Sequence, residues 1–294
     1  MFRAWLELAR ISNLPTVWTN VLAGWLLAGG KWDWPVLAWL LGGGSLLYTG
    51  GMILNDAADV RFDREARKER PIPSGRVSAT TAWSVGIGFI LAGFTMCVWG
   101  ADACAWLTGA LVAAIIAYDL YHKPWPGSVF IMGSCRTLLY LVAASAKLEH
   151  FNVRDHYEVI IRAIALGGYV VGLSLVARHE GAAKKPAKAW QLFGNFALIG
   201  PLLATFCVYA SEKNMNNEFV MLALTGVILF MISRSLKLMR TPPPSNIGRA
   251  VGLLLAGIVL VDALAICNVA PIAALCFALS MPLLLLWQRK IAAT

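Results

Sequence analysis

Charge is what this sequence is short of. Only 14% of its 294 residues are Asp, Glu, Lys or Arg, against about a quarter in an average soluble chain. Meanwhile 59% are hydrophobic, and the mean hydropathy is +0.66. The shortage excludes an ordinary soluble globule and a disordered chain, because water-soluble packing cannot hide this much apolar surface. A polytopic membrane protein remains. Strand-like alternation is missing from the apolar runs, which excludes barrel strands and leaves helices. The six cysteines (Cys97, Cys104, Cys135, Cys207, Cys267, Cys276) all lie in apolar runs with no CxxC or Cys/His pairing. They read as small buried hydrophobes and not as a disulfide scaffold or thiolate metal site. The four histidines and the serines show no nucleophile–base arrangement, so covalent catalysis has no support.

What is present is a series of apolar segments close to the roughly 20 residues that a helical span needs. Ten are expected, near 13–30, 35–54, 78–100, 103–121, 127–146, 157–177, 190–210, 218–236, 248–267 and 269–288. Nine would also be defensible, since Asn268 alone separates the last pair. Residues 1–10 run straight into the first span and read as its entry, not as a cleavable leader. The expected architecture is an all-α bundle of nine or ten spans, one integral-membrane domain over 1–294. With ten spans and both termini on one side, 19 of the 25 cations fall on that side. Such a bias marks the cytoplasmic face and explains the +9 net charge without nucleic acid.

Acids are rare, yet five of sixteen lie between Asp56 and Glu69, at the cytoplasmic end of the second span. On a helix, Asp59 and Asp63 stand about 300° and 340° around from Asp56, so the three share one arc with Asn55 at its edge. Stacked like charges repel. They are tolerable if they pair with Arg61, Arg64, Arg67 and Arg70 in a solvated loop, or if they hold a divalent cation. The second reading explains why the acids share a face. Oxygen-only donors select a hard ion, and Mg²⁺ completes its shell with phosphate oxygens, so a diphosphate is the implied ligand.

The stretch Asn55-Asp56-Ala57-Ala58-Asp59-Val60-Arg61-Phe62-Asp63 fits NDxxDxxxD, the signature of the UbiA superfamily of intramembrane prenyltransferases. Arg70-Pro71-Ile72-Pro73-Ser74-Gly75 resembles that family's Arg-Pro stretch, and Arg10–Pro15, leading to Asn20, resembles its opening. Met132–Arg136 and Ala177–Glu180 look closest to a UbiA-like branch called EboC. The resemblance implies a central cavity opening sideways into lipid. It also implies Mg²⁺-dependent transfer of an isoprenyl group from its diphosphate to a lipophilic acceptor, aromatic ones included. Asn55, Asp56, Asp59 and Asp63 would hold the metal and diphosphate. Asp56, Asp59, Asp63 and Lys123 would be catalytic, with Tyr118 beside Lys123. The pattern departs at the sixth span, where a second acidic motif is reduced to Glu180 with Arg178 beside it. An arginine fork suits phosphate oxygens, so both are candidate substrate-binding residues.

Arg136 and Asp262 sit inside apolar runs, where an ionised side chain must be paired or face a cavity. Arg136 is expected to meet Asp262, Glu180 or a substrate anion, and Asn20 to line the cavity or to make a helix–helix hydrogen bond. Membrane helices with carboxylate-bound metal also occur in CDP-alcohol phosphotransferases, but their D-G-x₂-A-R run is missing. A non-catalytic protein that binds or translocates a lipid diphosphate on the same frame is the other alternative.

Overall fold

The structure is a computed structural model. It describes residues 2–121, 125, 127–147, 156–180, 188–211, 217–242 and 245–288, the side chains of 179, 180, 211 and 245 excepted. Every regular element among them is helical. All ten apolar segments expected from the sequence are helices: α2 (Leu14–Leu27), α3 (Trp34–Ala58), α5 (Ala79–Thr95), α6 (Ala105–Tyr121), α7 (Ser128–Ser145), α8 (Tyr157–Glu180), α9 with α10 (Lys188–Leu198, Gly200–Ser211), α11 (Glu218–Arg240), α12 with α13 (Ser245–Ala256, Ile258–Ile266) and α14 (Pro271–Gln288). Two short helices flank them, α1 (Phe2–Leu8) before the first and α4 (Val60–Ala66) after α3. Among the described residues seven helices are long and apolar enough to cross a membrane, and an eighth if α9 and α10, bent by 49°, form one broken span. The 14 residues of α2 and 17 of α6 are shorter than the rest.

Helix starts follow local chemistry. Asp33 Oδ1 accepts from the Val36 amide at 3.4 Å ahead of Pro35, and Ser78 Oγ accepts from the Thr81 amide at 3.0 Å. A π-turn at Met96–Gly100 ends α5 and swings the chain towards α6, and just before α6 the Cys104 amide donates to Ser145 Oγ at 3.0 Å. Tight packing comes from small residues, as it must where lipid offers no hydrophobic drive. A Cβ on Gly43 of α3 would stand 3.0 Å from the Gly93 carbonyl oxygen of α5. One on Gly133 of α7 would stand 2.6 Å from that of Gly167 in α8.

Two hydrophobic clusters build the bundle, and α2 and α7 contribute to both. One joins them to α8 and α11–α14, the other to α3, α5 and α6. The α13 helix is buried at every position. A smaller cluster straps α1, through Ala4 and Leu8, over Ile53, Ala57, Ile72 and Val77. Trp32, Trp34, Trp99 and Trp106 are exposed at the end opposite Asp56, as an interfacial aromatic belt requires.

Candidate active site

The acidic motif lies where α3 passes into α4. The helix breaks at Asp59, but the register survives: the Asp59 amide donates to the Asn55 carbonyl at 3.0 Å and the Asp63 amide to the Asp59 carbonyl at 2.9 Å. Asn55, Asp56, Asp59 and Asp63 are accordingly all buried on one side. Burying three carboxylates demands compensation. It comes mainly from Arg70, whose Nη1 donates to Asp56 Oδ1 at 3.1 Å and to Asp63 Oδ2 at 2.9 Å. Arg10, in a left-handed conformation with φ 43°, adds a contact from Nη2 to Asp56 Oδ1 at 3.4 Å. Two carboxylates thus approach one cationic nitrogen from two sides.

The alternative to a cation, that arginines of the following loop neutralise these acids, describes the contacts of Arg70, except that the acids are buried and not in a solvated loop; Arg10 reaches in from the N-terminal side. Asp119, next to Tyr118 on α6, is engaged by Asn55, whose Nδ2 donates to Asp119 Oδ1 at 3.1 Å. Among the described residues no group of three or more His, Cys, Asp or Glu stands in a metal-holding arrangement. The donor set still fits Mg²⁺. It is all oxygen, and that ion takes one or two carboxylates plus phosphate and water. Moreover, Asp56 and Asp63 already converge on a single positive centre.

Beside this cluster opens a cavity of about 430 Å³. Arg10, Arg67, Arg178, Tyr118 and Asp119 make it polar at one end, while Leu47, Met52, Leu111, Ile115, Leu139 and Leu173 supply apolar wall. Arg178 is fixed by donating from Nη2 to Ser128 Oγ at 3.0 Å, where the end of α8 meets the start of α7. Tyr118 and Arg178 line the cavity, whereas Asn55, Asp56, Asp59 and Asp63 lie beside it, Asp56 in contact with Arg10 and Asn55 with Asp119 of the cavity wall. Lys123 lies outside the described residues, as does the side chain of Glu180.

Asn20 makes the helix–helix hydrogen bond, its Nδ2 reaching Asp262 of α13, and is fully buried behind Arg136; it does not line the cavity. Nor does Arg136, which does line the cavity, pair directly with Asp262. Its Nη1 donates to Asn20 Oδ1 at 2.7 Å, and Asn20 Nδ2 donates to Asp262 Oδ2 at 2.7 Å. An amide with one acceptor and one donor end can join opposite charges whose side chains stop short of each other. Sequence reasoning also missed Arg10, Arg67 and Arg70 as site residues. Their signal was position: an arginine in the Arg-Pro stretch and one before the first span.

Comparison with known proteins adds the following. The UbiA prenyltransferase family profile matches residues 16–254. Digeranylgeranylglyceryl phosphate synthase of Methanopyrus kandleri is 35% identical over 226 residues, covering 68% of this chain and 78% of that one. A UbiA homologue from Aeropyrum pernix K1, in its apo form, superposes with a TM-score of 0.65 at 16% identity, over 86% of this chain and 95% of that one. Another, from Archaeoglobus fulgidus and bound to DMAPP and Mg²⁺, gives 0.57 at 13% identity, over 88% of this chain and 99% of that one.

Proposed function

The chain belongs to the UbiA prenyltransferase family, and from that premise we propose that this integral membrane protein transfers an isoprenyl group from an isoprenyl diphosphate to a lipophilic acceptor, with Mg²⁺ as its cofactor. One observation carries the proposal. Two buried carboxylates converge on a single cation, and one of them also contacts Arg10, which lines the arginine-bearing end of an apolar cavity. The charge bias supports a cell-membrane protein with this end facing the cytoplasm.

Asp56, Asp59 and Asp63, with Asn55 at their edge, would hold Mg²⁺, which when bound supplies positive charge to the leaving diphosphate. Arg10, Arg67 and Arg178 face the cavity and bind phosphate oxygens through charge-assisted hydrogen bonds. The Tyr118 hydroxyl is assigned to the same end, and Lys123 and Glu180 are proposed to assist on the sequence resemblance alone. The isoprenyl chain lies along the aliphatic wall. When the allylic C–O bond breaks, its electron pair leaves with pyrophosphate, which the arginines stabilise. The apolar wall keeps water from the allylic cation until the acceptor's nucleophilic atom attacks C1 and its proton is lost. Lateral access suits the solubility of both substrates.

The test uses intact protein in nanodiscs with isoprenyl diphosphates of several lengths, Mg²⁺ and a lipid extract as acceptor source. Pyrophosphate release is read together with product mass. Release should require Mg²⁺ and fall by at least about a hundredfold in D56N and D63N. Full activity in both variants would overturn the assignment. Binding of isoprenyl diphosphate with no release for any acceptor would replace transfer by non-catalytic binding or translocation of a lipid diphosphate.

A further inference from the structure

The half of the bundle remote from the acidic motif holds a buried charge that the cavity does not use. Arg162 stands on α8 sixteen residues before Arg178, hence about 24 Å from the cavity's polar end. Its side chain is only 4% exposed, and its ion-pair contact is loose: Nη1 lies 3.6 Å from Glu158 Oε2, too far for a hydrogen bond. Glu158 reaches the surface. On the inner side, the Thr137 hydroxyl of α7 donates to the Ala163 carbonyl of α8 at 3.0 Å. Tyr140, one turn on from Thr137, therefore leaves α7 at nearly the level where Arg162 leaves α8. The Tyr140 hydroxyl lies within electrostatic reach of both Arg162 and Asp262. Arg162 Nε and Nη1, Tyr140 Oη and Asp262 Oδ1 are all buried, and all lack a hydrogen-bond partner among the described residues. The other oxygen of Asp262 is fully used, accepting from Asn20 at 2.7 Å and from the Thr19 hydroxyl at 2.6 Å.

Stranded polar atoms are rare in native interiors, and four in one neighbourhood mark a bound species. Their chemistry says which. Arg162 can only donate, and an ionised Asp262 oxygen can only accept. A metal cation would suit the carboxylate and be repelled by the guanidinium. A halide or phosphate would suit the guanidinium and be repelled by the carboxylate. Charge is moreover already matched: Asp262 answers Arg136 through Asn20, and Glu158 stands against Arg162. The occupant must be neutral, small, and able both to donate and to accept. Water meets all three conditions, and buried water takes about three such partners.

We infer that ordered water fills the gaps among Arg162, Tyr140 and Asp262, accepting from the guanidinium and donating to Asp262 Oδ1, with the Tyr140 hydroxyl as the link between them. The polar groups then form an unbroken file from Arg136 on the cavity wall, through Asn20, Asp262, Tyr140 and Arg162, to Glu158 at the far surface. This file ties α2, α7, α8 and α13 together inside an otherwise apolar cluster. Asn20, fully buried, closes its inner end, so the water is held apart from the cavity.

The test is X-ray radiolytic labelling of the full chain in nanodiscs, in which water beside a side chain is split to hydroxyl radical and the oxidised residue is read by mass spectrometry. Tyr169 is the control: it is equally closed to bulk solvent, and its hydroxyl donates to the Leu254 carbonyl at 2.8 Å. Tyr140 should be oxidised about tenfold or more faster than Tyr169, because only Tyr140 has bound water beside it. Equal rates overturn the inference. Exchanging chloride for gluconate should leave the ratio unchanged; a ratio that rises severalfold assigns the site to an anion and overturns the inference. R162M keeps the length of the side chain and removes its donors, so the ratio should fall severalfold with Tyr169 still protected. An undiminished ratio in a folded R162M overturns the inference. If R162M fails to fold, which labelling of Tyr169 would report, the wild-type ratio and its response to chloride decide.

Discussion

Replacing Arg70 by glutamine removes the one nitrogen shared by Asp56 and Asp63. In the wild type its contacts are 3.1 and 2.9 Å long, and the two carboxylates are only 8% and 2% exposed. Glutamine is close in polarity but carries no charge, so the cationic partner of Asp63 is lost and Asp56 keeps only its longer contact with Arg10. Breaking a buried pair by deleting one partner costs about 3–5 kcal/mol. With roughly 2–4 °C per kcal/mol for a chain of this size, Tm should fall by about 6–20 °C. Mg²⁺ should then matter more to the variant than to the wild type. Ligand-linked stabilisation reaches about 2.7 kcal/mol at a hundred times Kd, and R70Q leaves the ion two carboxylates contested only by the 3.4 Å contact of Arg10 with Asp56. Unfolding in nanodiscs can be followed by intrinsic tryptophan fluorescence, with and without Mg²⁺, with Ca²⁺ and EDTA as controls. An unchanged Tm in R70Q would refute the bridging role. A Mg²⁺ increment no larger than that of wild type would refute the claim that Arg70 and the ion share one position.

Asn20→Leu keeps volume but severs Arg136 from Asp262. Losing two charge-assisted hydrogen bonds should cost about 3 kcal/mol or more in SDS-titrated unfolding, and a loss below about 0.5 kcal/mol would show that the relay is idle. Gly133→Leu should destabilise by about 1–3 kcal/mol, because its Cβ would press on the Gly167 carbonyl of α8. Gly88→Leu, where nothing lies within 4 Å, should unfold with the wild type. Arg178→Gln should raise the dissociation constant of Mg²⁺–pyrophosphate about tenfold or more in a calorimetric titration, since Arg178 lies on the cavity wall; an unchanged constant would remove it from the phosphate site.

The spans were legible because apolar length is a direct signature of a helix in lipid. Their interruptions were not. The Ala256–Ile258 break falls at Gly257, which packs against Met231 and Tyr169, a tertiary fact that no local pattern announces. The acids stood out because charge is rare in this chain. Arg67 and Arg70 did not, because functional arginines look the same as those that orient a loop. Arg136 and Asp262 could each be recognised as needing a partner, but not that Asn20 joins them. That contact spans 242 positions between Asn20 and Asp262, and depends on α2 packing against α13.

That long span in sequence bears on how the protein is assembled. A lone aspartate near the middle of a helix opposes membrane insertion by about 2.5–3.5 kcal/mol. Asp262 nevertheless ends up fully enclosed in α13. The groups that receive it, Thr19 and Asn20, belong to α2, which is synthesised long before. The opening helix therefore acts as a docking post, held in the bilayer until nearly the whole chain has emerged. A nascent chain whose first span was deleted would release the Asn246–Ile266 segment on the wrong side or leave it unassembled.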